Sequence, residues 1–240
     1  MRFTVTIQLN QSEIPKDRSR IFLSLIKFWM EKENPELFYK LYGSKATIRK
    51  NFTYSLFLGK CNFKRETIEI PNKQIVLNLS CYDLELGIHI YNALLKGKNH
   101  SYFYKDISMC ITNIKLQKEK LISTDVAFFQ TMSPCVVREH NEETNRDWFY
   151  SLSESKGQQL FLQNLQIQIV DTFPEAKDEV QAMEIRVLKN KEVKVKHYGI
   201  EVLANICELE IKAKSYILDY LSKAGIGSLK STGFGMMKVK

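Results

Sequence analysis

The sequence has no Cys-x-x-Cys pair: its five cysteines, Cys61, Cys81, Cys110, Cys135 and Cys207, lie far apart. That odd, scattered set excludes a disulfide framework and a zinc site by spacing, and reads as free thiols packed as small hydrophobes in a reducing compartment. Histidine is scarce, with four in 240 residues, and no metal-ligand spacing appears, so neither a metal nor another cofactor is expected. No run approaches the roughly 20 apolar residues of a membrane span. The N-terminal Met-Arg-Phe-Thr-Val-Thr-Ile-Gln-Leu alternates where a signal peptide would be continuously apolar. A cytoplasmic location is the expectation. Acidic residues are outnumbered, 27 against 35 Lys and Arg, for a formal charge of +8. Such a surplus favours an anionic partner, nucleic acid or a membrane surface. No helix combines a basic face with an isolated apolar one, which counts against the membrane.

The apolar periodicity sets the organisation. Phe3, Val5, Ile7 and Leu9 share one face of a first strand, with Thr4, Thr6 and Gln8 on the other. A helix follows Pro15, with Phe22, Leu25, Ile26 and Trp29 on one stripe. Pro35 ends it, and a short second helix runs towards Gly43. Strands are expected over 52–58 and around Ile75, Leu77 and Leu79. A helix follows over 83–95 and stops at Gly97; a strand over 107–122 completes a β-α-β-β-α-β unit. The same order then recurs: a strand near 126–138, a helix carrying Phe161, Leu162, Leu165 and Ile169, strands around 183–189 and 193–211, a helix over 215–224 and a strand over 234–239. The fold class is therefore α+β, two tandem ferredoxin-like domains of the order also found in RNA-recognition motifs. The domains span 1–122 and 126–240, joined near Ser123 to Asp125.

Glycine is sparse, yet four of the ten glycines fall in Gly225-Ile-Gly227-Ser228-Leu229-Lys230-Ser231-Thr232-Gly233-Phe234-Gly235, and no acidic residue occurs after Asp219. Glycine-rich loops often present backbone N–H groups to phosphates, and Lys223, Lys230, Lys238 and Lys240 surround this one. Gly225, Gly227, Ser228, Lys230, Ser231, Thr232, Gly233, Gly235, Lys223 and Lys238 are therefore expected to contact RNA. A plain turn between helix and strand is the alternative. The dinucleotide and Walker patterns both fail, because Lys230 stands three after Gly227, Leu229 precedes the lysine, and the loop leaves a helix to enter a strand.

A loop of the form G-x-G-x5-G-F-G between the last helix and last strand of a duplicated ferredoxin-like chain resembles the repeat-processing endoribonucleases of CRISPR systems (the Cas-six family of the RAMP superfamily). Ser133-Pro134-Cys135-Val136-Val137-Arg138 and Phe52-Thr53-Tyr54-Ser55 are similar to further segments of that family. The resemblance implies binding of CRISPR repeat RNA within a precursor. It also implies metal-independent cleavage in which the substrate's own 2′-hydroxyl attacks, leaving a 2′,3′-cyclic phosphate and a 5′-hydroxyl. Such chemistry needs a base, an acid and cations for the transition state. The cleaved phosphate is expected between the first-helix region and the glycine loop. Many members carry a histidine where this chain reads Leu37-Phe38-Tyr39-Lys40-Leu41-Tyr42-Gly43, so Tyr39, Lys40 and Tyr42 become catalytic candidates. Two alternatives stay open: a non-catalytic RNA-binding subunit of a CRISPR effector complex, or an RNA-recognition-motif protein. A homodimer is also open.

Lys27, flanked by Ile26 and Phe28, is either an acid–base lysine with a lowered pKa or one that snorkels from an apolar stem. Lys16, Arg18, Arg20, Lys45, Arg49 and Lys50 read as a solvated basic face. Among the histidines, His89 is expected at a helix boundary, His100 in solvent, and His197 packed beside Val193 and Val195. On the opposite face of that strand Lys194 and Lys196 point together towards phosphates. His140 shares a face with Arg138 at a strand end, in a polar loop over 139–147. It is the catalytic histidine candidate, with Arg138 as an RNA contact.

Overall fold

A computed structural model of the chain describes residues 1–43 and 50–240; Lys45 and Arg49 lie outside the described residues. The elements run β1 (Arg2–Leu9), β2 (Glu13–Pro15), α1 (Ser19–Glu33), α2 (Pro35–Tyr42), β3 (Phe52–Phe57), β4 (Asn62–Phe63), β5 (Thr67–Glu69), β6 (Gln74–Cys81), α3 (Leu84–Lys96), β7 (Ser101–Tyr104) and β8 (Ile107–Leu116). They continue as β9 (Val126–Thr131), β10 (Val137–Asn141), β11 (Arg146–Tyr150), α4 (Ser155–Val170), α5 (Lys177–Gln181), β12 (Glu184–His197), β13 (Ile200–Lys212), α6 (Ser215–Ala224) and β14 (Met237–Val239). The fold is α+β, with two tandem ferredoxin-like arrangements. The chain forms two compact units. One holds residues 1–119 with 196–200 and 231–233; the other holds 120–195, 201–230 and 234–240.

In the first unit the sheet order is β3-β6-β1-β8-β7. Counting its ferredoxin strands in chain order, that is second, third, first, fourth, with the β7 hairpin strand added at the edge. The second unit's sheet, β12-β13-β9-β14, repeats the same order. The duplication is thus present in topology, although the two halves share no visible sequence repeat. In the first unit the inward face of β1 (Phe3, Val5, Ile7, Leu9) packs with Phe22, Leu25 and Ile26 of α1 and Ile90 and Leu94 of α3, all buried. Each such side chain contributes about 1.5–3 kcal/mol of burial energy. In the second unit Phe129 and Leu209 of the sheet are buried, as are Phe161, Leu165 and Ile169 of α4 and Ile217, Leu218 and Leu221 of α6.

Several boundaries differ from expectation. The strand expected over 126–138 is two segments, β9 and β10, separated at Ser133-Pro134, where proline supplies no ladder donor. The polar loop over 139–147 is a β-hairpin, with His140 opposite Asp147 across β10 and β11. The break expected near 190–192 lies instead at Tyr198-Gly199, both at positive φ (51° and 86°), as a two-residue hairpin turn requires. The strand expected over 107–122 ends at Leu116, and the last strand covers only Met237–Val239. The alternation read over 52–58 does not expose one face: Phe52, Thr53, Tyr54 and Ser55 are all buried. Gly97 does close α3, but at a right-handed φ of −74°. Its reason is room: a Cβ there would lie 2.6 Å from the Trp29 ring.

Candidate functional site

Three elements of the first unit bring Lys27, Tyr42 and Lys50 together. Lys27 projects from α1, between buried Ile26 and half-buried Phe28. Asn34 caps α2, its Oδ1 accepting from Leu37 N–H at 3.0 Å, and Pro35 sets the first turn. That capped helix delivers Tyr42 at its last position. Lys50 lies two residues ahead of β3. The Lys27 Nζ stands 4.2 Å and the Lys50 Nζ 4.8 Å from the centre of the Tyr42 ring. The ring's electron-rich face attracts each ammonium, a contact worth roughly 0.5–2 kcal/mol.

This environment shifts the titrations. Burial, and then the charge of Lys50, lower the pKa of Lys27; burial lowers that of Lys50. Burial raises the pKa of Tyr42, so its phenol stays protonated. Its Oη is buried and accepts or donates no hydrogen bond among the described residues. An unsatisfied buried hydroxyl is unfavourable by about 1–3 kcal/mol. Nearby, Tyr54 is fully buried and its hydroxyl donates to the Ser19 carbonyl at 3.1 Å. Burial also raises the Tyr54 pKa and lowers that of Arg18, a neighbouring charge. A Cβ on Gly233 would lie 2.7 Å from the Tyr54 ring, so the close approach of segment 231–233 to Tyr54 admits only glycine there.

The other first-helix candidates stand apart. Tyr39 is 62% exposed, and Lys40 is exposed on the outer side of α2. Lys50 was read only as one of a basic face. The sequence signal for it was its place just ahead of Phe52-Thr53-Tyr54-Ser55.

In the second unit, the β10–β11 hairpin joins His140 and Arg138 through one carboxylate. Asp147 Oδ1 lies 2.7 Å from His140 Nδ1 and 3.2 Å from Arg138 Nε. The shared strand face expected for Arg138 and His140 is therefore present, on a hairpin instead of a loop. On its other face Glu139 accepts from Tyr150 Oη at 2.5 Å and from Lys156 Nζ at 3.1 Å. These bonds, Tyr150 first, hold the Glu139 carboxyl below its usual pKa.

Gly225, Gly227, Gly233 and Gly235 all have positive φ, and part of the segment's backbone is bonded within the protein. Ile226 N–H donates to the Gly235 carbonyl (2.9 Å), Ser228 N–H to Val136 (2.8 Å) and Gly235 N–H to Pro134 (2.9 Å). Met236 N–H donates to Ser133 Oγ at 3.0 Å, and Gln168 Nε2 to the Gly225 carbonyl at 3.0 Å. Gly235 is a packing requirement, since a Cβ would sit 1.9 Å from the Ile226 carbonyl oxygen. Lys230, expected as an exposed phosphate contact, is only 7% exposed. Ser228, Ser231 and Thr232 are half-exposed and Lys238 is exposed.

The remaining lysine candidates face carboxylates. Lys223 Nζ lies 2.8 Å from Asp219, Lys194 Nζ 3.8 Å from Glu201, and Lys196 pairs with Glu66. The Lys194 and Lys196 pairs lie at the surface, where such a pair is worth about 0–1 kcal/mol and a phosphate competes readily for the ammonium; the Lys223 pair is part-buried. His197 is buried, as its strand parity implied, and burial lowers its pKa. Among the described residues no group of three or more His, Cys, Asp and Glu side chains is placed to hold a metal ion. Among them, too, no helix is long and apolar enough to cross a membrane.

Comparison with known proteins agrees with the fold. A family model described as CRISPR associated protein Cas6, C-terminal, matches residues 116–239. No curated protein matches the chain in sequence. Among solved structures, a Cas6-related gene product from Pyrococcus furiosus superposes with a TM-score of 0.85 at 19% identity, over 100% of this chain and 98% of the other. A RAMP protein described as binding different RNA substrates gives 0.84 at 19% identity, over 100% and 99%. A structure described as CRISPR associated protein Cas6 gives 0.77 at 20% identity, over 100% and 99%. At these identities the structural likeness is one of fold.

Proposed function

The chain belongs to the Cas6 family of CRISPR associated proteins, and on that premise we propose that it binds CRISPR repeat RNA and cuts it within the precursor transcript. The observation that carries the reading is the convergence of Lys27 and Lys50 on the Tyr42 ring, in a family whose common histidine is absent from this stretch. Cleavage by 2′-hydroxyl attack requires a proton acceptor at the 2′-oxygen, a proton donor at the leaving 5′-oxygen and positive charge at the phosphorane. Lys27, whose pKa is lowered by burial and by Lys50, supplies a neutral amine as base more readily than a solvated lysine. Lys50 supplies the ammonium that neutralises the phosphorane and protonates the leaving oxygen. Tyr42 holds both side chains by its ring and stays protonated; it positions rather than transfers. Ser231 and Thr232, in the same unit, offer hydroxyls to the RNA backbone. Arg138, Lys194, Lys196, Lys223 and Lys238 add charge along the strand.

A second reading rests on one observation, the His140–Asp147 contact of 2.7 Å. A carboxylate on Nδ1 fixes the imidazole tautomer and orients Nε2 for proton transfer, so His140 is the alternative base.

The test is incubation of the pure protein with end-labelled repeat RNA in excess EDTA. The expected products carry a 2′,3′-cyclic phosphate and a 5′-hydroxyl, and a 2′-deoxy residue before the cut abolishes them. Metal-dependent cleavage leaving a 5′-phosphate overturns the mechanism. Tight binding without any cleavage converts the chain to a non-catalytic repeat-RNA carrier, with a place in an effector complex.

A further inference from the structure

A cavity of about 380 Å³ opens in the first unit, lined by β2, the start of α1, Thr67 of β5 and the β7–β8 turn. Its floor is apolar: Ile14, Ile21 and Ile107 are each at most 4% exposed. Part of its wall is already committed. Glu13 accepts from Lys64 and from Thr67 Oγ1. Asp17 Oδ1 accepts from Tyr198 N–H at 3.0 Å and its Oδ2 from Gly199 N–H at 2.9 Å. These bonds make a fixed frame. The Arg20 guanidinium lies 3.7 Å from Asp17 Oδ2 and 4.4 Å over the Tyr198 ring, and the rest of the lining is available: the half-buried Tyr104 ring, the exposed Asp106 carboxylate and the exposed Lys105 ammonium.

The geometry points to a binding pocket for one unpaired nucleotide of the RNA, its base inserted against Tyr104 and the isoleucine floor. Ligand pockets run from roughly 300 to 1,000 Å³; one at the small end takes a single nucleoside and excludes a helical stem. An apolar floor with an aromatic wall accepts a base from an unpaired strand, since every base has a π-face. Asp106 is an acceptor without a competing ion pair among the described residues, so it selects bases that present an amino group: adenine, cytosine or guanine over uracil. Arg20 and Lys105 at the rim neutralise the flanking phosphates. The cavity lies apart from Lys27, Tyr42 and Lys50, none of which lines it. It therefore serves recognition, not proton transfer. The pocket rests on the reading of the chain as a repeat-RNA binder.

The experiment uses the full chain and repeat RNA blocked by a 2′-deoxy residue at the cut, with 2-aminopurine placed at each unpaired position in turn. One position is expected to quench on binding through stacking on Tyr104, and Tyr104→Ala removes that quench. An abasic residue at the same position weakens binding by roughly 5- to 100-fold, the range for losing one base stack. Tyr104→Ala weakens binding to a similar degree, and the two losses do not multiply. Asp106→Asn narrows the preference for an amino-bearing base over uracil. If the RNA binds tightly but no position responds to Tyr104→Ala, the pocket is overturned while the repeat-RNA reading stands. A chain that binds no repeat RNA overturns both.

Discussion

The Lys27 ammonium stands 4.2 Å from the centre of the Tyr42 ring, where it exchanges part of its hydration for the π-face. The ring holds the amine in place and its π-face favours the ammonium, so the net lowering of the Lys27 pKa comes from burial and then from Lys50.

This gives the first prediction. A group whose folded pKa is lowered releases its proton at lower pH, so cleavage should rise with pH as Lys27 deprotonates below the roughly 10.4 of a solvated lysine, then fall as Lys50, the acid, loses its own proton. Lys27→Arg keeps the charge but cannot act as a base, because guanidinium does not deprotonate. It should slow single-turnover cleavage by about 100-fold or more and flatten the pH profile, with repeat-RNA affinity nearly unchanged. A Lys27→Arg enzyme with the wild-type rate and profile removes Lys27 from proton transfer.

Tyr42 separates ring from hydroxyl. Tyr42→Phe keeps the cation contacts and deletes a buried hydroxyl that has no hydrogen-bond partner among the described residues, so melting should move upward, by the equivalent of about 1 kcal/mol, while the rate stays within a few-fold. Tyr42→Leu keeps an apolar cover but loses the π-face that favours the ammonium, so its pH profile should shift to lower pH. A Tyr42→Phe variant a hundredfold slower would make the hydroxyl itself a catalytic group.

The two candidate bases predict opposite variants. With the base on Lys27, His140→Ala and Asp147→Asn leave the cleavage rate within a few-fold and only weaken RNA binding. If His140→Ala instead loses at least a hundredfold with affinity intact, and Lys27→Arg does not, the base is His140 in the second unit.

Gly235→Ala should fail by unfolding rather than by losing RNA. Its φ of 68° puts a side chain in left-handed backbone, unfavourable by roughly 1–2 kcal/mol, and overpacking against Ile226 adds about 1–3 kcal/mol. Denaturant titration should show a loss of about 2–5 kcal/mol. A fully stable variant that binds RNA poorly would restore the segment as a phosphate cradle.

Much of the fold could be read from periodicity because each half buries one face of its strands and one stripe of its helices; β1, α1, α2, α3 and α6 follow directly. The failures have local causes. The polar loop expected over 139–147 shrinks to a turn at 142–145: Asn141 Oδ1 accepts from Thr144 N–H at 2.8 Å and Asn145 turns at φ 49°, which closes a hairpin. The Lys-Asn-Lys-Glu run at 189–192 suggested a break because it is polar. The strand passes through it with Lys189, Lys191 and Glu192 exposed and Asn190 half-buried, and turns only where Gly199 allows. The site was harder. Lys27 is visible as a lysine in an apolar run and Tyr42 by its place where the resembling family carries a histidine, but nothing local links either to Lys50, 23 positions beyond Lys27. Only tertiary packing of α1, α2 and β3 joins them. The glycine segment stands out in the sequence without revealing its role, since close backbone packing and anion binding demand the same amino acid.

The first unit is not one stretch of chain: it takes in residues 196–200 and 231–233. The carboxylate of Asp17 has its hydrogen-bond donors at Tyr198 and Gly199, some 180 residues downstream, and Tyr54 meets Gly233. A ribosome releasing residues 1–119 has therefore made a sheet and helices but not a finished unit. Its final closure waits for the C-terminal codons, and a truncation anywhere before Gly233 leaves the N-terminal half incomplete as well.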